Sequence, residues 1–235
     1  MTEERSTELD QLLAEQIAYY RALAGEYEDH ALPFGGGDEL SAALDAFRPT
    51  GSVLELACGQ GLWTRQLVRY ADEVTALDAS PEMLAIAAER VGSDRVRFVR
   101  ANIFDWVPDR RYDVVFLGFW LSHVPLERFD SFWATMADCI TPAGRVFFVD
   151  DGYRTADELV EGESSTTVRR RLNDGTTHRA VKVPHRPAEL EQRLAACGWR
   201  VTVTPTTSGP FYWGAGGLAH RTGPLRNAGD QCAGS

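Results

Sequence analysis

No Cys-x-x-Cys pair occurs in these 235 residues; the four cysteines, Cys58, Cys139, Cys197 and Cys232, are scattered. That spacing excludes a zinc ribbon or a dithiol redox motif and fits reduced thiols in a cytoplasmic protein. No apolar run approaches the roughly 18 residues that a membrane-spanning helix requires. The start, Met-Thr-Glu-Glu-Arg, lacks the apolar centre of a signal peptide, so neither a membrane nor export is expected. Basic charge is in deficit. Lys and Arg number 24 against 34 Asp and Glu, a formal net charge of −10, which gives no bulk attraction to nucleic acid. No cluster of metal-ligating side chains is evident, so no metal is expected.

What is present is the composition of a soluble globular protein, 44% hydrophobic and 25% charged, in a length that suits one α/β domain with a small insertion. The organising stretch is Val-Leu-Glu-Leu-Ala-Cys-Gly-Gln-Gly, residues 53–61. Val53, Leu54, Leu56 and Ala57 form the short apolar run of a strand buried on both faces. Gly59 and Gly61 supply a turn at which a ligand approaches bare backbone. Residues 62–70 then place Leu62, Leu67 and Val68 near helical spacing. A dinucleotide fingerprint would want a third glycine at position 64. Thr64 stands there with bulky Trp63 beside it, which argues against a nicotinamide cofactor.

Before this stretch, Leu9, Leu12, Leu13, Gln16, Ile17 and Tyr20 recur at helical spacing and predict an amphipathic helix over 8–24, after a frayed start. Pro33 and Gly35-Gly-Gly37 break the pattern, and a second helix is expected over 38–47. Strands follow at 74–77, 96–99, 114–117 and 145–149, with helices at 81–91 and 126–139. Alternation of this kind predicts a mostly parallel sheet covered on both faces. Then the pattern changes. Residues 167–172 and 177–183 read as two strands about Asn173-Asp-Gly175, a hairpin signal. A helix over 187–196 and strands at 199–203 and 211–218 close the sheet, adding an antiparallel edge. From residue 220 the chain is polar and glycine-rich, and disorder is expected.

Glu55 within the first strand, the glycine loop, and Asp78 ending the second strand together resemble motif I of the class I S-adenosylmethionine-dependent methyltransferases. The resemblance covers about residues 15–219. It implies an α/β fold with a Rossmann-like seven-stranded sheet, an N-terminal helical lid (8–48), a cofactor-binding core (51–150) and an acceptor-binding hairpin insertion (153–186). It also implies S-adenosyl-L-methionine as cofactor, leaving as S-adenosyl-L-homocysteine. Asp78 would accept from both ribose hydroxyls, because a carboxylate offers two oxygens to that pair of donors. Gly59 and Gly61 would let the backbone meet the methionine part, and Glu55, Ala57, Trp63 and Ala79 are counted with them as cofactor-binding. Met83 is placed to touch the adenine or to pack in its helix. Asn102 and Ile103 stand where the family has an acid and an apolar residue against the adenine; Asp105 is the alternative acid. Phe119 and Trp120 either face the sulfonium or are plain core. Tyr20 would close the site, and His123 lies near the pocket, as a base if the acceptor is a hydroxyl.

Against the acidic background, residues 168–187 carry Arg169, Arg170, Arg171, Arg179, Lys182 and Arg186 with one acid, Asp174. In paired strands Arg169 and Arg171 share one face, and Arg170 lies on the other with Val168 and Leu172. Guanidinium and ammonium groups suit a phosphonate, phosphate or carboxylate acceptor. Trp-Thr-Arg, Trp-Leu-Ser-His-Val-Pro and Val-Arg-Arg-x-Leu-x-Asp-Gly, followed by Val-Lys-Val, resemble the phosphonate O-methyltransferases of dehydrophos biosynthesis. That resemblance implies that Tyr27, Arg170 (or Arg169) and Lys182 hold the acceptor's anionic group. A methyltransferase for a carboxylate, phenol, amine or carbon, and a cofactor-binding protein without methyl transfer, are the alternatives. A monomer or homodimer is expected, with a small anionic molecule as partner.

Overall fold

The computed structural model describes residues 3–30, 32 and 34–219. The expectations about Pro33, Cys232 and the tail from 220 therefore lie outside the described residues. Among the described residues, nine strands form two sheets. β1 (Ser52–Leu56), β2 (Glu73–Asp78), β3 (Val96–Arg100), β4 (Tyr112–Gly118), β5 (Ile140–Asp151), β8 (Trp199–Pro205) and β9 (Phe211–Leu218) make a seven-stranded sheet in the order β3-β2-β1-β4-β5-β9-β8. β6 (Thr167–Arg171) and β7 (Thr177–Val181) pair as a separate hairpin. Pairings from β3 through β5 are parallel, and β9 runs antiparallel between β5 and β8. This is the doubly wound architecture expected from the alternation of apolar runs and helical patterns.

Burial explains the central strands. β1 is fully enclosed from Val53 onward, and Val114 to Leu117 of β4 are equally inaccessible. One apolar layer packs beneath the sheet around Trp133, Phe148, Trp199 and Tyr112; the other holds Leu40, Leu44, Phe116 and Phe147. α2 (Gly37–Phe47) supplies Leu40 and Leu44 to the second layer, and α5 (Phe129–Cys139) supplies Phe129, Phe132, Trp133 and Met136 to the first. Burying a leucine or phenylalanine in this way contributes about 1.5–3 kcal/mol.

α4 (Pro81–Val91) begins where its chemistry requires. Ser80 accepts from the Met83 N–H at 3.0 Å, Pro81 occupies the first turn, and Gly92 closes the helix in the left-handed region. α6 (Pro187–Ala196) has the expected bounds. α3 (Thr64–Leu67) is much shorter than the expected 62–70, because i→i+3 bonds from Gln66 to Trp63 and from Tyr70 to Leu67 tighten both ends. α1 (Glu3–Leu23) starts five residues earlier than expected, so its first turns are helical rather than frayed.

α1 and the hairpin are built on each other. Gln16 on α1 accepts from the Val181 N–H at 2.9 Å, and Glu15 accepts from the Arg179 N–H at 2.6 Å. Those donors lie on the free edge of β7, which the helix thereby covers. Leu13 packs on Val181 and Val183, and Tyr19 and Leu23 pack on Leu172. The pair sits over the carboxyl ends of β1, β4 and β5.

Candidate active site

A cavity of about 930 Å³ opens at those carboxyl ends, the side on which ligands meet doubly wound sheets. Its volume lies at the upper end of small-molecule sites. Glu55, Ala57, Gly59, Trp63, Asp78, Ala79, Met83, Asn102, Ile103, Phe119 and His123 line it, as do Tyr20, Tyr27, Arg169, Arg170 and Lys182. Gly61, grouped with them from the sequence, does not. A Cβ at Gly61 would stand 3.0 Å from Val91 and 3.1 Å from Ala87, so its smallness lets the loop pack against α4. Gly59 is different: its φ is +52° and nothing lies within 4 Å of where a Cβ would be. It is the loop's open position.

At one end of the cavity, Asp78 ends β2. Its Oδ2 accepts from the Gly59 N–H at 2.9 Å and its Oδ1 from the Ser80 N–H at 2.8 Å. Each oxygen keeps a further lone pair for hydroxyl donors. Burial raises the Asp78 pKa, and the hydrogen bonds from Ser80, Gly59 and Ala79 oppose the rise. Glu55 lies deeper, accepting from Thr64 Oγ1 at 2.6 Å. Burial drives its pKa up to about 8, with the Thr64 bond opposing and the nearby Asp78 charge adding to the rise, so it is largely protonated at neutral pH. Met83 and Ile103 present apolar surface and are both buried. Asn102 donates to Asp105 Oδ2 at 2.6 Å, and its Oδ1 accepts from the Phe104 N–H at 3.3 Å. The two alternatives for the adenine acid are therefore joined in one turn, with Asn102 facing the cavity.

Ala57 and Phe119, at the ends of β1 and β4, hold φ of 51° and 55°. Left-handed backbone at such residues costs about 1 kcal/mol or more each and concentrates at functional sites. Two polar atoms of wall residues, Gln60 Oε1 and Trp120 Nε1, are buried without a protein partner. A lined apolar cleft, a carboxylate with spare lone pairs, an open left-handed glycine and unspent polar atoms fit a nucleoside carrying an amino-acid tail.

Toward the other end, His123 donates from Nδ1 to the Val181 carbonyl at 2.6 Å, which fixes its tautomer. Its Nε2 then accepts from the Tyr20 hydroxyl at 2.8 Å. Burial, together with the Lys182 and Arg170 charges, lowers its pKa to about 3, so the ring stays neutral. Burial also raises the Tyr27 pKa, assisted by the Asp78 and Asp151 charges.

The cations are not alone. Lys182 Nζ donates to Asp151 Oδ2 at 2.9 Å and to Ser122 Oγ at 3.1 Å, with Asp150 Oδ1 at 3.7 Å. All three charged side chains are at most 6% exposed. Arg170 pairs with Glu158, and both side chains are about one-fifth exposed. Arg169 and Arg171 are exposed at the rim, on the opposite strand face from Arg170. Asp151, Ser122, Gln60 and Glu158 escaped sequence reasoning. Asp150 and Asp151 carried a signal, acids ending an apolar strand as Asp78 does; Glu158 sits in a polar stretch and carried none.

Residues 53–144 match the family model described as a methyltransferase domain. A solved complex of DhpI with SAH is 42% identical, with a TM-score of 0.77 over 89% of this chain and 98% of that one. A DhpI complex with SAM and HEP is likewise 42% identical, with a TM-score of 0.76 over 87% of this chain and 96% of that one. Malonyl-acyl-carrier protein O-methyltransferase of Priestia megaterium is 29% identical over 113 residues, which is 46% of this chain and 39% of that protein. The chain thus spans well under two thirds of the length of that curated relative.

Proposed function

The chain belongs to the class I S-adenosylmethionine-dependent methyltransferases, and on that premise we propose that it methylates an oxygen of a small anionic acceptor, a phosphonate in the best-supported case. The observation that carries this reading is that Arg170 and Lys182 line the same cavity as Asp78. The 42% identity to DhpI, the dehydrophos phosphonate methyltransferase, supports it.

S-adenosylmethionine, when bound, would supply a methyl group on a sulfonium centre, whose carbon–sulfur bond breaks to release S-adenosylhomocysteine as the acceptor oxygen bonds to the methyl carbon. Asp78 would accept from the ribose hydroxyls and the Gly59 loop would lie along the amino-acid tail. Ala57, Trp63, Ala79 and Phe119 would complete that wall. Met83 and Ile103 would flank the adenine, with Asn102 at its edge. Tyr20 spends its proton on His123 Nε2, so its oxygen shows the cavity only lone pairs. That suits the electron-poor region near a sulfonium and repels an oxyanion. Arg170 and Tyr27 would orient the acceptor, and Lys182 adds positive potential from behind Asp151.

A phosphonate oxygen is already ionised at neutral pH, so no proton need be removed in the step. His123 fits that economy. With its lone pair committed to Tyr20 and its pKa near 3, it holds Tyr20 in place rather than serving as a base. Catalysis then rests on positioning and on exclusion of water by α1 and the hairpin. A phenol acceptor would need a base, and His123 is not free to be one.

Methyl-labelled cofactor incubated with panels of small phosphonates, carboxylates, phenols and amines tests the reading. Label is expected on phosphonates, and Arg170→Ala should raise their KM about tenfold or more. Label on phenols or amines with phosphonates untouched would refute it.

A further inference from the structure

The charges facing the acceptor end do not balance an incoming dianion. Arg170 and Lys182 contribute two positive charges, but Glu158 and Asp151 already neutralise them. Arg169 and Arg171 also line the cavity but are exposed at its rim, so an acceptor meets the inner cations only if one of their carboxylates gives way. The Lys182 pair is fixed: its side chain is 4% exposed, its ammonium is bonded to Asp151 and Ser122, and Asp151 also accepts from the Tyr153 N–H at 2.8 Å. The Glu158 pair is not enclosed in this way, with side-chain exposures of 22% for Arg170 and 21% for Glu158.

The attachments of Glu158 show what moves. Its carbonyl accepts from the Arg169 N–H at 2.7 Å, and Leu159 bridges to Val168, so its backbone is tied to β6. Its carboxylate instead spans two donors. Oε1 takes the Arg170 guanidinium, and Oε2 takes the Thr155 N–H at 3.0 Å. Arg170, Thr155 and Glu158 all line the cavity. A carboxylate bridging a guanidinium and a backbone N–H has the form of a bound oxyanion. Side-chain rotation about the tethered backbone would free both donors together.

We propose that the Glu158 carboxylate is an internal stand-in for the acceptor's oxyanion, holding Arg170 and the Thr155 N–H until an acceptor displaces it. The inference rests on the anionic-acceptor reading above and adds a residue that sets the threshold for acceptor binding. Glu158 thereby keeps the site from filling with ambient inorganic phosphate. Because it competes for the donors rather than acting at a distance, it weakens every anion by one common factor.

Calorimetry on the protein loaded with S-adenosylhomocysteine, titrated separately with methylphosphonate and with acetate, tests this. Glu158→Gln and Glu158→Ala should tighten both anions by the same factor, about five- to tenfold, the worth of a partly buried ion pair. Affinity for S-adenosylhomocysteine should be unchanged. In turnover, KM should fall by about that factor, whereas a merely structural role would raise KM or leave it where it is. Anion affinity that is unchanged or weaker in folded variants would overturn the proposal, as would a gain confined to methylphosphonate. If wild type and variants bind S-adenosylhomocysteine but neither anion, the anionic-acceptor reading fails and the stand-in falls with it.

Discussion

At the scale of single residues, charge and burial decide the outcome. Asp78 holds two backbone N–H groups and keeps lone pairs for hydroxyls. Asp78→Ala should therefore weaken S-adenosylhomocysteine about tenfold or more by calorimetry; an unchanged dissociation constant would remove it from the cofactor site. Glu55 is protonated in the folded protein up to about pH 8, against 4.5 for a free carboxyl. Its folded pKa is raised, so folding is favoured below pH 4.5 and loses that advantage as pH rises toward 8. Glu55→Gln should then raise stability near pH 7 by about 3 kcal/mol, read from denaturant midpoints, with cofactor affinity held within a few-fold. Lys182 behaves oppositely. Removing its ammonium strands Asp150 and Asp151 in the interior, so Lys182→Met should cost about 3–5 kcal/mol. Asp151→Asn in the same chain should restore part of that loss. Lys182 is thus read as a charge built into the wall, and the anion's direct partner is Arg170.

At the scale of elements, α1 covers the free edge of β7. Gln16→Ala leaves the Val181 N–H without its partner and should destabilise the protein by about 1–3 kcal/mol. The loss should appear first as faster amide exchange in the hairpin than in β1 or β4. Features of the chain that depend on neighbours in sequence could be read in advance. Asn173-Asp-Gly175 makes its turn, with Gly175 at φ +89°, and the alternation of β6 puts Arg170 inward with Val168 and Leu172. Asp78 ends its strand and Ser80, not Asp78, caps the helix. Features that depend on distant partners could not. Gly61 answers to Ala87 and Val91 on another element. The setting of Lys182 comes from Asp151, 31 positions away. The neutral state of His123 follows from burial and from the Lys182 and Arg170 charges, while the Val181 carbonyl fixes its tautomer and Tyr20, 103 positions back, engages its other nitrogen. Composition gives no warning that a histidine beside two cations has its only lone pair engaged.

At the scale of the whole molecule, the site is a cleft with a carboxylate end and a cationic end, roofed by two elements joined edge to edge. Two buried histidines tie that assembly to pH. Burial and nearby positive charge lower His123 to about 3 and His185 to about 4, from 6.5. Both are neutral when folded and protonated when unfolded across the intervening range, so their contribution is present above pH 6.5 and disappears as pH falls. For His123 alone the loss at pH 5 is about 2 kcal/mol. The melting temperature should drop between pH 6.5 and 4, and His123→Gln should flatten that slope. The central claim is that the cofactor's methyl group passes to an acceptor oxygen held by Arg170. Phosphorus NMR of a small phosphonate incubated with the protein and S-adenosylmethionine addresses it directly. A new resonance of the monomethyl ester should grow in step with S-adenosylhomocysteine and slow sharply in Arg170→Ala. An unchanged phosphorus spectrum, under conditions where S-adenosylmethionine is bound, would contradict it.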